Sequence, residues 1–420
     1  MSDPFSATEP PGNWNPWSAR PELAPRCESD GDTWTIRSGD GPGNHGGWDL
    51  QWHHVTPGEW RRFGVLCRAH DIQQFHDTVR AELIWWDEES QRLDWAHVRP
   101  QRLPQGAHVF VHEGPTPTGA VRATLRLALR WTLRGRIEWR DAFSEPIPEA
   151  KPRTVNMAVA TGTFPGTSVE ANVHFATDLI AQAARSQARV VCLPECITTW
   201  RTQLGVTQGA RPMPGPETQI LCNAARQHQI DVVCSMNESS RGLVYNTGLY
   251  IEAQKGLIAT YRKVHLAVGE RWRGVSPGDR FPVWDTSYGR VGMLICYDNV
   301  HAEGHRILSQ KGAEVIFLPI MGDPRAVGDQ AQTIWQTIMQ MRAMDHHVWL
   351  VACRNRGEWG SVFRPDGKMV SSFDGAEGVV TAQIDLAFRH ASWIGSNFEN
   401  RYWGERRPHA YGELSQSSNS

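Results

Sequence analysis

The feature that most constrains the fold is a change in hydrophobic periodicity near residue 150. Between Thr33 and about Trp139, apolar and polar residues alternate in short segments separated by Gly, Pro and Asp, as in RRFGVLCRAH and AVRATLRLALRWTL. The segment SEPIPEAKPRT (144–154) then interrupts regular structure with three prolines. Beyond it, apolar strands alternate with amphipathic helices, beginning with VNMAVATGTF and VEANVHFATDLIAQAA. The pattern predicts an antiparallel β-sandwich followed by an α/β domain.

We predict three parts, because 420 residues are many for a single hydrophobic core. Residues 1–30 are rich in Pro, Ser, Glu and Asn without periodicity, which is typical of a flexible arm. The β-sandwich spans 31–147 and the α/β domain spans 152–412.

Charge and cysteine usage limit the partners and the location. The net charge of -2 gives no broad field to attract nucleic acid or anionic lipid, so we expect neither as a partner. The sequence contains no apolar stretch of the length that spans a bilayer and no signal-peptide pattern at its start, so we expect a soluble protein. Eight cysteines without CxxC pairs favour reduced thiols and a cytoplasmic location.

Three residues with chemical potential lie at or near the ends of predicted strands. Glu195 ends the run VVCLP, and Cys296 ends VGMLI at a turn from strand to helix. Lys263, one of only five lysines, lies in the alternating segment IATYRKVHL. Hydrolysis of an unactivated C–N bond requires a nucleophile, a proton acceptor and a positive charge near the developing oxyanion. These residues provide one of each.

The contexts LPE (193–195), YRKVHL (261–266) and ICYD (295–298) resemble the Glu, Lys and Cys motifs of the nitrilase superfamily, in the same chain order. The resemblance covers about residues 153–412. YNTGLYI (245–251), SPGD (276–279), GSVFRPDGKMVSSF (360–373) and ERRPHAYGEL (405–414) are similar to further segments of that family. The resemblance implies a four-layer α-β-β-α sandwich and a homodimer or higher homo-oligomer.

The resemblance also implies roles. Glu195 would act as general base, Cys296 as nucleophile, and Lys263 with the backbone N–H of Tyr297 as oxyanion partners. Glu270 matches a second glutamate found beside the nucleophile in many members. We expect substrate contacts from Tyr297 and from the loops after Glu195, Tyr297 and Pro319, which include Trp200, Asn299 and Met321. Asp298 and Glu303 are interpreted as structural, and we expect no metal or cofactor.

The substrate and the activity leave alternatives open. Tyr297 and Asp298 after the nucleophile are typical of amidase-like members, which favours a small-molecule amide or N-carbamoyl amide. A nitrile is the alternative, and a catalytically inactive small-ligand or carbohydrate-binding protein is another. HAEGH (301–305) places two histidines on one helical face, but its glutamate is not adjacent to the first histidine, as a zinc hydrolase would require.

The N-terminal part contains 11 of the 19 tryptophans. Its strands, such as GEWRRFGVLCRAHD and VRAELIWWDEESQRL, resemble jelly-roll domains of the carbohydrate-binding-module type. An exposed aromatic surface could stack on a sugar or another flat ligand. We favour the interpretation that the tryptophans fill the sandwich.

Overall fold

A computed structural model describes residues 12–39, 41, 43–322, 329–355, 360–373, 377–388 and 405–415. The described residues form two compact units. The first contains the described residues up to Lys151 together with 405–415, and the second contains those between Pro152 and Phe388. The α/β domain was expected to reach residue 412, whereas 405–415 cluster with the first unit. No helix among the described residues is both long enough and apolar enough to cross a bilayer.

The first unit is built from two antiparallel sheets. One has the order β1-β4-β10-β6-β7, and the other has the order β2-β3-β11-β5-β9-β8. The elements are β1 (Asn13–Ser18), β2 (Arg26–Asp30), β3 (Thr33–Arg37), β4 (His45–His53), β5 (Trp60–His70), α1 (Phe75–Thr78), β6 (Val79–Trp86), β7 (Arg92–His97), β8 (Pro100–Arg102), β9 (His108–Pro115), β10 (Arg122–Arg130) and β11 (Arg136–Pro146).

Tryptophan side chains contribute much of the core shared by these two sheets. Trp48, Trp52, Trp85 and Trp139 are buried there, and the Phe63 ring lies 5.3 Å from the rings of both Trp52 and Trp85. In β4 and β5, every second side chain therefore points towards the opposite sheet.

Residues 13–30 differ from the expected flexible arm. Six residues of β1 pair with β4, and β2 pairs with β3. The Trp14 ring stacks on Trp34 with centroids 4.3 Å apart. Strands at a sheet edge gain stability from the backbone ladder of a neighbour, so polar composition without periodicity did not reveal them. Residues 1–11 of the predicted arm lie outside the described residues.

The second unit follows the predicted alternation of strands and helices. Its elements are β12 (Thr154–Thr161), α2 (Val169–Arg185), β13 (Val190–Cys192), α3 (Val206–Gly209), α4 (Pro216–His228), β14 (Asp231–Ser240), β15 (Leu243–Glu252), β16 (Gly256–Arg262), α5 (Val268–Trp272), β17 (Val275–Ser276), β18 (Val283–Asp285), β19 (Arg290–Met293), α6 (Ala302–Gln310), β20 (Val315–Ile320), α7 (Asp329–His346), β21 (Trp349–Arg354), β22 (Ser361–Phe363), β23 (Met369–Ser372) and β24 (Gly378–Asp385).

Two sheets organise these elements. The first has the order β16-β15-β14-β13-β12-β24, with β17 beside β15, and the second has the order β18-β19-β20-β21-β22-β23. In each sheet three consecutive strands are parallel: β12, β13 and β14 in the first, and β19, β20 and β21 in the second. The predicted mixed α/β architecture is confirmed.

Alternation along β12 explains how the layers pack. Met157 and Val159 point into the core that joins the two sheets, whereas Ala158 and Ala160 point into a second core under α2 and α4. These small alanine side chains let α2, which packs on β12, approach the sheet closely. Helix α2 begins where the Ser168 hydroxyl accepts a hydrogen bond from the N–H of Ala171. Helices α6 and α7 contribute to the core on the side of the second sheet.

Candidate active site

Strands of both sheets end beside one cavity, and polar residues follow them. Glu195 comes three residues after β13, and Cys296 comes three residues after β19. Lys263 comes directly after β16, which runs in the same direction as β13 because β15 is antiparallel to both β14 and β16. Side chains at the carboxyl ends of co-directional strands meet at one edge of a sheet. The topology therefore gathers residues that are about 100 positions apart in the chain.

Lys263 lies at the centre of a buried ionic cluster. Its Nζ donates hydrogen bonds to Glu195 Oε1 and Glu270 Oε2, both at 2.8 Å, and its side chain is 1% exposed. The Asn246 amide donates to Glu195 Oε1 at 2.7 Å and to Glu270 Oε1 at 2.8 Å. Lys263 and Asn246 thus each donate to both carboxylates. The Lys263 ammonium has three N–H groups, so one N–H remains for another acceptor.

Cys296 adopts a left-handed backbone conformation, with φ of 45°. Residues other than glycine rarely adopt this backbone conformation, and where they do it is often at functional sites. The Cys296 thiol donates a hydrogen bond to the carbonyl oxygen of Met321, with Sγ 3.5 Å from that oxygen, and the nearby Glu195 carboxylate raises the pKa of the thiol. The N–H of Met321 donates to Glu195 Oε2 at 2.6 Å. Glu195 therefore accepts hydrogen bonds from the ammonium, from the Asn246 amide and from a backbone N–H in the cavity that Cys296 also lines.

The electrostatics of the cluster keep the Cys296 thiol protonated at rest and place beside it a carboxylate whose pKa is raised. Burial raises the pKa of Glu195, and the adjacent Lys263 ammonium opposes that shift without cancelling it. Burial and the neighbouring Glu195 carboxylate raise the pKa of Cys296, so the resting thiol is protonated. Burial alone would lower the pKa of Lys263, but the nearby carboxylates raise it, so the ammonium stays charged. The cluster contains an acceptor, a thiol and a permanent cation.

These residues line a cavity of about 1160 Å³. Of the predicted substrate contacts, Trp200 and Met321 line it as well. The side chains of Tyr297 and Asn299 are not among the lining residues. Tyr297 is half-exposed, and Asn299 is buried. The chain turns sharply at Cys296, which directs the following side chains away from the cavity.

The two cysteines that flank Glu195 differ in position. We expected strand alternation to turn both Cys192 and Cys196 away from the face used by Glu195. Cys192 is fully buried, but Cys196 lines the cavity, with its Sγ 3.2 Å from Asn237 Oδ1. Strand β13 ends at Cys192 and Cys196 has φ of 52°, so alternation does not continue to this position.

The two histidines of HAEGH do not converge. The His301 ring stacks on His265 with centroids 4.0 Å apart, whereas the buried His305 ring stacks on His346. Among the described residues, no group of three or more His, Cys, Asp or Glu side chains is placed to hold a metal ion.

Asn246 is the residue of the cluster that the motifs did not assign to the site. It lies in the otherwise apolar segment YNTGLYI and is 2% exposed. Burial of an amide is costly unless its hydrogen bonds are made, so a lone Asn in a buried strand was an available signal.

Comparison with known proteins extends these findings. Residues 156–391 match the family model described as carbon-nitrogen hydrolase. The chain is 30% identical over 233 residues to the omega-amidase NIT2 of Homo sapiens, and the aligned region covers 51% of this chain and 83% of that protein. It is 32% identical over 235 residues to the omega-amidase NIT2 of Danio rerio, covering 52% and 83%. An amidase structure from Nesterenkonia sp. matches with a TM-score of 0.52 at 18% identity, over 62% of this chain and 96% of that one.

Proposed function

The chain belongs to the carbon-nitrogen hydrolase family, and from this premise we propose that it hydrolyses an amide or N-carbamoyl amide through a Cys296-linked acyl-enzyme. Membership of this family makes the chain a carbon-nitrogen hydrolase and agrees with the nitrilase-superfamily motifs. The observation that carries the proposal is that Cys296, Glu195 and Lys263 all line one cavity.

The first half of the proposed reaction forms the acyl-enzyme. Glu195 takes the thiol proton as the Cys296 sulfur attacks the carbonyl carbon. The oxyanion accepts hydrogen bonds from the remaining N–H of Lys263 and from the backbone N–H of Tyr297. Protonated Glu195 then gives its proton to the leaving nitrogen, the C–N bond breaks, and ammonia departs from a thioester.

The second half releases the product. Glu195 accepts a proton from a water molecule, whose oxygen attacks the thioester, and the proton returns to the departing Cys296 sulfur. Glu270 keeps the ammonium of Lys263 oriented throughout, since it is hydrogen-bonded to Nζ and to Asn246. Trp200 and Met321 contact the acyl group from the cavity wall.

An amide is favoured over a nitrile for two reasons. The nucleophile is followed by Tyr297 and Asp298, the amidase-like pair, and the relatives from Homo sapiens and Danio rerio are named omega-amidases.

The test measures ammonia release from a panel of ω-amides, N-carbamoyl amino acids, carbamoyl amines and nitriles, with wild type and Cys296→Ala compared on each. We expect turnover of at least one amide or carbamoyl compound by wild type and none by Cys296→Ala. Cys192→Ala is the matched control, because its thiol is buried away from the cavity, and it should retain turnover. Retained turnover in purified Cys296→Ala would exclude the mechanism.

The alternatives predict other outcomes. Turnover restricted to nitriles would identify a nitrilase. A catalytically inactive binding protein would show no turnover, and its Cys296 would not react selectively with iodoacetamide near neutral pH. A metal-dependent hydrolase would lose activity on chelation and would form no covalent adduct.

We also propose a cytoplasmic homo-oligomer whose N-terminal β-sandwich, which includes β1 and β2 as well as the predicted 31–147, has a jelly-roll topology. All eight cysteines are free, which supports a reducing compartment. Exposed apolar side chains on α7, Ile334 and Met341, support self-association. Light scattering coupled to size-exclusion chromatography measures the oligomeric state, and a monomeric mass at micromolar concentration would contradict this part of the proposal.

A further inference from the structure

A buried carboxylate outside the cavity connects the segments that carry Lys263 and Cys296. Asp298 is fully buried and is not among the residues that line the cavity. Its Oδ1 accepts hydrogen bonds from the backbone N–H of His265 at 2.8 Å and from His265 Nδ1 at 2.9 Å. Its Oδ2 accepts from the backbone N–H of Ile295 at 3.0 Å and from the Tyr261 hydroxyl at 2.7 Å.

These four bonds lie next to both reacting groups. Tyr261 and His265 are each two residues from Lys263, and Ile295 directly precedes Cys296. We propose that Asp298 is a positioning residue that sets the distance and orientation between the Lys263 ammonium and the Cys296 sulfur. This inference rests on the proposed function, in which those two groups act on one carbonyl.

Asp298 also stabilises the backbone conformation of the nucleophile. Cys296 has the left-handed φ of 45°, a conformation that costs free energy for any side chain other than glycine. Asp298 holds Ile295 through its side chain, and its own N–H donates to the carbonyl oxygen of Ile295 at 3.0 Å. This closed turn on the two sides of Cys296 keeps the sulfur directed into the cavity.

The hydrogen-bond pattern requires a carboxylate at this position. Each oxygen faces one backbone N–H, which can only donate. Since a carboxylate oxygen only accepts, His265 Nδ1 must carry a proton. Burial and the Asp298 carboxylate raise the pKa of Tyr261, so its hydroxyl also stays protonated. An asparagine amide would turn its NH₂ group towards Ile295 N–H or His265 N–H in either orientation, and two donors would then face each other.

The test compares Asp298→Asn and Asp298→Glu with wild type. Asp298→Asn removes one acceptor, whereas Asp298→Glu keeps the charge and both acceptors but adds one methylene between them and the turn. Displacement of reacting groups by about 1 Å can lower turnover about 10²-fold, so we expect a kcat loss of that order in both variants. KM should stay within a few-fold of wild type, because Asp298 does not touch the cavity. Asp285→Asn is the matched control, since its carboxylate is exposed and should leave kcat unchanged.

A second readout needs no substrate. The rate of iodoacetamide alkylation at Cys296, mapped by peptide mass spectrometry, depends on the alignment of the thiol with Glu195 and should fall roughly tenfold in both Asp298 variants. Near-ultraviolet circular dichroism identifies the folded fraction to which both rates are normalised.

The outcomes separate this inference from the proposed function. Absence of turnover in wild type would refute the proposed function, and the alkylation rates would still decide the role of Asp298. A folded Asp298→Asn or Asp298→Glu protein with wild-type kcat and alkylation rate would overturn the inference. A raised KM at unchanged kcat would also overturn it, because the effect would then be on binding. Failure of both variants to fold would assign Asp298 to folding rather than to positioning.

Discussion

Replacing Glu195 with glutamine separates its proton-transfer role from its hydrogen-bonding role. Glu195 Oε1 accepts from Lys263 Nζ and from the Asn246 amide, and Oε2 accepts from the N–H of Met321. Glutamine has nearly the same shape but only one acceptor oxygen. We expect that oxygen to remain with Lys263 and Asn246, because the opposite orientation would turn an NH₂ group towards an ammonium. The new NH₂ group would then face the N–H of Met321.

The stability cost follows from these contacts. A buried donor left without an acceptor costs about 1–3 kcal/mol. Breaking a buried ion pair outright costs about 3–5 kcal/mol, but Glu270 still pairs with Lys263, so that contribution is reduced. We expect the free energy of unfolding to fall by about 2–3 kcal/mol, with the protein still folded at 25 °C.

The catalytic cost is larger. Loss of a general base lowers the rate of a step by about 10²–10⁴-fold, and Glu195 acts in both halves of the reaction. Because burial raises the pKa of Cys296, little thiolate exists without the base. We expect ammonia release to fall by at least about 10³-fold. Any thioester that forms should persist, since water has lost its activating carboxylate.

Three measurements check this prediction: steady-state ammonia release, urea unfolding, and intact-protein mass spectrometry after incubation with the best substrate. Glu195→Gln should show an adduct of the acyl mass, and Cys296→Ala should show none. Glu303→Gln is the matched control, because Glu303 lies in α6 and does not line the cavity. Turnover by Glu195→Gln within tenfold of wild type, or an adduct on another cysteine, would refute the reasoning.

Further predictions address the cation, the pH dependence and the packing. Lys263→Arg keeps the charge but replaces a compact ammonium with a planar fork, so kcat should fall by about 10²–10³-fold, and turnover within a few-fold of wild type would show that geometry is unimportant. Activity requires ionised Glu195, and burial raises the pKa of this carboxyl group. The acid limb of the kcat/KM profile should therefore lie at a pH above the ordinary glutamate pKa of about 4.3, and activity should be lost as the pH falls through that limb. A limb at or below that value would contradict the effect of burial. Gly248→Ala would place a Cβ in steric conflict with Met293 Sδ between the two sheets, so chemical denaturation should show that the free energy of unfolding falls by about 1–3 kcal/mol. Unchanged stability would show that Met293 moves aside.

Local sequence determined where the reacting side chains stand along the chain. Glu195 and Cys296 each follow a short apolar run, and Lys263 lies within an alternating segment. A hydrophobic run that stops at a polar residue marks the end of a buried strand wherever that strand is placed. Periodicity similarly separated the alternating strands of the first unit from the strands and helices of the second, because each element must turn its apolar side chains to a core.

Only the tertiary structure decided which residues meet. Asn246 bridges Glu195 and Glu270 because β15 lies in the same sheet as β13 and β16, and no local pattern specifies that neighbourhood. Strand β1 forms because its backbone pairs with β4 and the Trp14 ring stacks on Trp34. Periodicity reports the direction of a side chain relative to its own element, whereas hydrogen-bond partners are set by the packing of distant elements. The sequence therefore determined the reacting groups, and tertiary packing determined the hydrogen bonds that hold and orient them.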